Sequence, residues 1–544
     1  MNMALKKTLV AFALLVLLAA VFIFLVFPGI NRGEDRISIS AGVVPHHLLA
    51  EEVIRDFFEY ISLQGEPDTI VLLSPDHFGA GGSEIISEPS PAIKLDHGIT
   101  NLIPFIEEYF PECSIKPFLI PQNLSMEKAR QFALDLDSGT SQDTLVVASV
   151  DFSHYLPPSA ALFHDVKSIR TLINFEEENF ENIEVDSWQA LYISRLFAKL
   201  RGKESPEIIG HKVPKDFIET EKNEDNTSYF SIVFLEGDMQ LSEGETFMFV
   251  GDMMFDRGVE YFANQNGILY PVSRVNRFLA GIDTVFGNLE GPIVKDPPDF
   301  PDDSLRFAFS PDVLSALSFS NFNLLSLANN HTLNMAESGL RETRGFLEEA
   351  GIDAVGHPTY CDKESFFEKG EVLFLSFNKT FPSNCSNEEI TEIFREAKEE
   401  NPGKYLIVNF HWGNEYEGKS SQSQRNLARL LIDEGADLII GSHPHVVQEV
   451  EEYNGKPIFY SLGNFIFDQY FSVETQQGLA VGMELYEERA VFRLFPVQIT
   501  AGQPFLMEKE EAEEFLAGLA QKSSSSLSEE IKGGIIEVEV INTI

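Results

Sequence analysis

From residue 245 to about residue 500 the chain repeats one local pattern, a short apolar run that stops at polar residues. The runs are "FMFVGDMMFDRG", "DTVFGNLEG", "FNLLSLANNH", "KYLIVNFHWG", "ADLIIGSHPH" and "KPIFYSLGNFIFD". Runs this short, rich in Val, Ile, Leu and Phe, read as buried strands rather than helices. Stretches with helical spacing, such as "SQRNLARLLIDEG", separate some of them, and that alternation belongs to an α/β fold. Open α/β sheets gather ligands at the carboxyl ends of their strands. The pattern therefore predicts a fold class and also a place for a site.

A similar series opens the chain after a short polar linker, "NRGEDR". "TIVLLSPDHF" and "TLVVASVDFSHY" read as buried parallel strands with polar tips, "LLAEEVIRDFFEYI" as a helix, and "TSYFSIVFLEGD" as a last strand. "MQLSEGET", around residue 242, reads as a junction. With 544 residues the chain exceeds one ordinary domain. The expected division is an anchor over 1–30, domains over 37–240 and 245–500, and an acidic, Ser-rich extension over 501–544 that holds a helix and a closing strand, "GIIEVEV".

Charge narrows the partners. Forty Lys and Arg against 85 Asp and Glu leave a net charge of −45, which repels phosphate backbones, so no nucleic acid is expected. A polyanionic substrate would need metal ions to reverse the local field. After Lys6 and Lys7, residues 8–27, "TLVAFALLVLLAAVFIFLVF", carry no charge and match the thickness of a bilayer core. They predict an uncleaved transmembrane helix with the bulk of the chain extracytoplasmic, that is, a single-pass cell-membrane protein. Of three cysteines, Cys361 and Cys385 are placed to pair across a loop, leaving Cys113 single.

The strand tips of the second half supply Asp252, Glu290, Asn330, His331, His411, His443 and His445. Oxygen and imidazole donors without thiolate suit Mn, Fe or Zn. Seven such donors delivered at strand ends predict a site for two divalent metal ions, able to activate water and hold an oxyanion. Arg257, in the first loop, is a candidate clamp for a carboxylate or phosphate. Trp412 and Tyr416 read as a pocket wall or as core aromatics.

The series "FVGDMMFDRG", "GNLEGPI", "SLANNHTLN", "NFHWGNEY", "GSHPHVVQ" and "YSLGNFIFD" resembles the CapA family of poly-γ-glutamate capsule synthesis proteins, within the calcineurin-like metallophosphoesterases. The resemblance covers residues 245–480 and implies an αββα sandwich. It further implies that Asp252 is a ligand of the first metal, that Glu290 bridges, and that Asn330, His411 and His443 hold the second metal while His445 returns to the first. His331 resembles the histidine that protonates a leaving group or holds the oxyanion. The wider superfamily opens with an Asp-x-His pair, whereas Met253 and Met254 follow Asp252 here.

In the first half, "VVPHHLL", "LLSPDHFG", "LDHGITNLIPFIEEYFP" and "ASVDFSHY" resemble the Memo-like family, AmmeMemoRadiSam system protein B, over about residues 38–236. The fold implied is related to class III extradiol dioxygenases. The family's metal positions fall on His46 or His47, His77, Asp151 and His154, with His97 nearby, for one further metal ion. Thr227 and Ser228 stand where some members carry a cysteine. His164 and His211 match no motif and read as surface residues.

Two functions follow. In the first the protein is a membrane-anchored, extracytoplasmic, metal-dependent hydrolase or transferase in the synthesis of a capsule or poly-γ-glutamate-like polymer, acting on an anionic envelope polymer or its precursor. In the second it is a non-catalytic, metal-containing factor that binds the polymer within a capsule synthesis or export complex.

Overall fold

A computed structural model of the chain describes residues 38–213, 226–237, 241–298, 300, 304–381 and 385–540. The architecture is mixed α/β, built on three sheets.

The first sheet orders its strands Ile86–Ser87, Ser114–Ile120, Thr69–Pro75, Thr144–Ser149, Ile39–Val44, Tyr229–Leu235 and Ser205–Lys212. The four from Ser114–Ile120 to Ile39–Val44 run parallel, and Tyr229–Leu235 and Ser205–Lys212 close the sheet antiparallel. Thr69–Pro75, Thr144–Ser149 and Ile39–Val44 are buried almost throughout because helices cover both faces. Leu72, Leu145 and Val147 pack on Phe57, Phe58 and Ile61 of the helix Glu51–Gln64. The alternate residues Val71, Leu73, Val146 and Ala148 pack on Ala133, Ala190 and Phe197 of the opposite helices.

The second half stacks two sheets face to face. One runs Asp353–Val355, Phe322–Ser326, Thr284–Leu289, Glu245–Met253, Gln477–Leu485, Arg489–Thr500 and Gln503–Leu506, with Asn464–Ile466 on Glu245–Met253 and Ile535–Glu539 on Arg489–Thr500. The other runs Phe366–Lys369, Val372–Asn378, Tyr405–His411, Leu438–Ser442, Lys456–Phe459 and Val450–Tyr453. Phe247, Phe249, Phe286 and Leu324 meet Phe374, Ile407, Leu438 and Ile440 between the sheets. Leu340 and Leu347 cover one outer face, and Phe394, Ala428 and Leu431 cover the other. The layers are therefore helix, sheet, sheet, helix. Residues beyond 500 join the first of these sheets through Gln503–Leu506 and Ile535–Glu539. Cys361 and Cys385 are disulfide-bonded, and Cys113 is free.

One expectation is corrected. No helix among the described residues is long and apolar enough to cross a membrane. The longest of them, the 17-residue Pro158–Asn174, carries His164, Asp165, Lys167 and Arg170. A span needs about 20 apolar residues. The N-terminal transmembrane helix and the single-pass, extracytoplasmic placement drawn from it are thus without support in the structure, and residues 8–27 lie outside the described residues.

The Pro158–Asn174 helix joins the two halves. His164, expected at the surface, is instead 1% exposed, with Nε2 donating to the Phe278 carbonyl at 2.9 Å. Arg170 makes a two-pronged pair with Asp283 at 2.9 and 3.0 Å, and Lys167 lies 3.5 Å from the same carboxylate. Phe163 packs against Phe495 beside them. His211 is exposed, as expected, bonded to Asp165 at 2.9 Å and stacked on Phe230.

Burial pushes His164 down to about 4 from its ordinary 6.5, because a protonated ring has no place among apolar neighbours. A depressed histidine stabilises the fold above its unfolded pKa and loses that stability as pH falls toward its folded one. Between pH 6.5 and 4 the wild type should therefore lose about 3 kcal/mol more unfolding free energy than His164→Gln. Equal slopes for the two proteins in urea titrations would remove His164 as the cause.

Candidate metal centre

Asp252 ends the Glu245–Met253 strand and is fully buried. Register places Asn288 beside it on one neighbouring strand and Asn464 on the other. That close pairing needs glycine, since a Cβ on Gly251 would lie 1.9 Å from the Gly463 carbonyl oxygen. Oδ1 of Asp252 accepts from Asn288 Nδ2 at 2.8 Å, and Oδ2 accepts from the His443 backbone N–H at 3.0 Å. The opposing sheet supplies His411 at the end of Tyr405–His411, and His443 and His445 just past Leu438–Ser442. His443 and His445 hold φ of +94° and +58°. Non-glycine residues rarely adopt that region, and the strain costs roughly 1–3 kcal/mol each. It turns both imidazoles back over the strand ends.

The donors converge. His445 Nδ1 lies 3.3 Å from Asp252 Oδ2 and its Nε2 3.7 Å from Glu290. Asp252, Glu290 and His445 form one group whose ligand atoms lie within 4.8 Å of one another, and Glu415, His443 and His445 form a second. His411 Nε2 is 2.7 Å from Asn330 Oδ1, and its Nδ1 is 3.8 Å from Asp252. His331 Nε2 points at Glu290 from 3.6 Å, and its Nδ1 meets Asn334 Oδ1 at 3.1 Å.

Electrostatics shows what is missing. Both carboxylate oxygens of Glu290 are buried without a hydrogen-bond partner, as is His443 Nδ1. Desolvation, with Asp252 nearby, raises the Glu290 carboxyl well above its usual range. Burial presses on His445 too, yet the charges of Glu290 and Asp252 and a bond to Asn464 lift it to about 9. Burial holds His331 and His443 down at about 4 and His411 well below its usual value. A buried anion without a partner is costly unless a cation joins it. Two carboxyl groups and four imidazoles, three of them held neutral, are oxygen and nitrogen donors of the kind that suit a divalent metal, so the residues present fit one.

Other expected residues stand differently. Arg257 is not open to a ligand on all sides: its guanidinium pairs with Asp468 and lies 4.8 Å over Phe307. Trp412 is core, stacked 4.4 Å from Phe410, whereas Tyr416 stands half-exposed 6.1 Å from His445. Asn288, Asn464 and Glu415 were not singled out from the sequence. All three sit inside the strand-tip segments already recognised, so that position was the available signal.

The first-half histidines form a separate pocket. The His46, His77 and His97 rings lie within 5.1 Å of one another, and His46 Nε2 is 3.5 Å from Asp151 and 3.6 Å from Asp186. His47 caps Leu49 through Nδ1, lies 6.0 Å from the Tyr229 ring and joins neither close group. Asp96 fixes His77 at 3.0 Å. His154 borders the pocket without joining either close group, His46–His77–His97 or His46–Asp151–Asp186. Asp186, which the sequence did not flag, has Oδ1 buried and partnerless.

Residues 246–469 match the family described as Bacterial capsule synthesis protein PGA_cap. The "PGA biosynthesis protein CapA" of Bacillus subtilis is 31% identical over 282 residues, which cover 48% of this chain and 73% of that protein. A "MEMO1 family protein" of Caldivirga maquilingensis is 21% identical over 34% of this chain and 80% of its own length. A purple acid phosphatase from yellow lupin seeds is similar at a TM-score of 0.26 and 11% identity, over 52% of this chain and 62% of that one. The chain belongs to the CapA-type capsule synthesis family and carries a Memo-like domain ahead of that part.

Proposed function

We propose that the second half, residues 245–500, is a metal-dependent hydrolase or transferase acting on an anionic capsule polymer of the poly-γ-glutamate kind or on its precursor. The observation that carries this reading is Glu290, a buried carboxyl group that makes no hydrogen bond and has the His331 and His445 rings at 3.6 and 3.7 Å, where donors from both sheets meet. The capsule-synthesis relatives supply the substrate class. Asp252, Glu290 and His445 hold one divalent ion, Mn, Fe or Zn, and Asn330, His411 and His443 hold a second. Bound there, such ions supply Lewis acidity and activate water at neutral pH.

The chain's own groups do the rest. Asn288 and the His443 N–H orient the Asp252 carboxylate. Asn334 Oδ1 accepts from His331 Nδ1, which leaves the unprotonated Nε2 of the neutral ring facing Glu290, free to take the proton of an attacking water and pass it to the leaving group. Arg257, steadied by Asp468, places guanidinium N–H donors at the rim. The domain over 37–240 would hold one further ion at His46, which both close groups share, with His77 and Asp151, and His154 at the border; 501–544 is an extension of the second domain.

A second reading has the site bind polymer without turning it over. Met253 and Met254, both fully buried, follow Asp252, so the first ion has three side chains and no histidine from that loop.

His443→Ala and Glu290→Gln should each lower bound divalent metal, measured by mass spectrometry, while the circular dichroism spectrum stays native. In chelator-treated protein, Glu290→Gln should gain roughly 1–2 kcal/mol of stability, because it removes a desolvated acid. Unchanged metal content in both variants rejects the ligand assignment. The metal-loaded protein should cleave a phosphodiester or a γ-glutamyl amide, and His331→Asn should slow it about a hundredfold. Bound metal without turnover on either substrate decides for the binding role.

A further inference from the structure

We propose that Asp186 is a metal ligand in the first-half pocket. The ion held there, a hard divalent one such as Mn(II), sits between His46, Asp151 and Asp186 and not among the His46, His77 and His97 rings. This rests on the reading of the pocket as an ion site and names the donors. The side chains of His46, Asp151 and Asp186 are 3%, 4% and 11% exposed. Oδ1 of Asp186 is buried with no hydrogen-bond partner among the described residues.

The backbone sets the two carboxyl groups side by side. Phe152 and Val185 form an isolated antiparallel bridge, and next to it the Asp186 N–H donates to the Asp151 carbonyl at 3.1 Å. The Asp151 N–H returns a bond to Asp186 Oδ2, also at 3.1 Å. Ser187, which follows, caps the largely buried helix Trp188–Leu200 by accepting from the Ala190 N–H, so that helix carries Asp186 at its start. On the facing side the His46 N–H donates to Asp151 Oδ1 at 3.1 Å, and Ser149 Oγ lies 3.3 Å from His46 Nδ1. That contact turns the Nε2 edge of the ring toward both carboxyl groups.

The distances suit an ion better than direct contact. His46 Nε2 stands 3.5 Å from Asp151 Oδ2 and 3.6 Å from Asp186 Oδ2, too long for hydrogen bonds. Donors sharing one ion through bonds of about 2.1 Å stand about 3.0 Å apart in an octahedron and about 3.4 Å apart in a tetrahedron. The ligand atoms of His46, Asp151 and Asp186 all lie within 4.8 Å of one another, so small rotations bring them onto one ion. His77 is placed otherwise, with Nδ1 committed to Asp96 at 3.0 Å and its ring against His97 at 3.8 Å. One imidazole with two carboxyl groups is richer in oxygen than three imidazoles, which suits a harder ion. Burying two neighbouring carboxyl groups is costly, and a divalent cation between them offsets that cost.

Mn(II) serves as the probe, on the full chain after chelation, with electron paramagnetic resonance counting the bound ions. Asp186→Asn keeps an oxygen to accept the Asp151 N–H, so its circular dichroism and its metal-free melting temperature should match the wild type. It should still weaken one Mn(II) site about a hundredfold, both alone and combined with Glu290→Gln and His443→Ala, whereas His97→Ala should leave that site unchanged. With Glu290→Gln and His443→Ala in place and the first pocket intact, spin-echo modulation of the bound ion should show one histidine nitrogen. An unaltered site in Asp186→Asn, or three histidine nitrogens, overturns the proposal while the pocket stays an ion site. Mn(II) binding that His46→Ala leaves whole overturns both the proposal and the reading of the pocket.

Discussion

The second half is organised around the desolvation of one carboxylate. Asp252 is taken fully out of water at the seam between two sheets, and each of its oxygens is answered from a different part of the chain. Asn288 comes from the adjacent strand, and the His443 N–H and the His445 ring come from the facing sheet. A buried carboxylate with fewer partners would cost several kcal/mol, so the sheets must stack in this register for the fold to tolerate it. The left-handed turns at His443 and His445 follow from the same demand. Glu290 lies in the same seam with no hydrogen bond and only the longer His331 and His445 contacts, and this contrast separates a group held by the fold from one whose oxygens are left open to the pocket.

The junction between the halves follows the same physics. Its polar groups are buried, and each charge there has an opposite charge or a carbonyl in reach. The Arg170–Asp283 pair is largely buried, with side-chain exposures of 10% and 19%, which strengthens it and makes its geometry exacting. A surface ion pair would leave the domains free to move, whereas a dry one sets their relation. The two histidine-rich pockets belong to different sheets, and Arg277 of the second half lies 4.9 Å over Tyr155 of the first.

Much of the site was readable because strand periodicity is local. An apolar run that stops at "GD", "NLEG", "NNH", "NFH" or "GSHPH" announces a buried strand with donors at its carboxyl end, and parallel strands place those ends side by side. Thus Asp252, Glu290, His411, His443 and His445 were identified before any contact was known. Glu415 lay in the same segment and was passed over, since an exposed loop glutamate is common and only the fold brings it to His443. His164 was misjudged as a surface residue because its helix has apolar and polar residues all round. Such a pattern does not show that one face will be covered by another domain.

By itself the sequence determined the element types, the donor chemistry, the acidic surface and the two family resemblances, all properties of short windows or of composition. Tertiary structure alone decided which donors share an ion position, which of His46 and His47 enters its pocket, and that Asp468 takes up the charge of Arg257. Asp252 and His443 are 191 residues apart, and Arg257 and Asp468 are 211 apart. Contacts of that span depend on how sheets stack and how domains dock. Those outcomes come from the burial of many side chains at once, and no single segment encodes them.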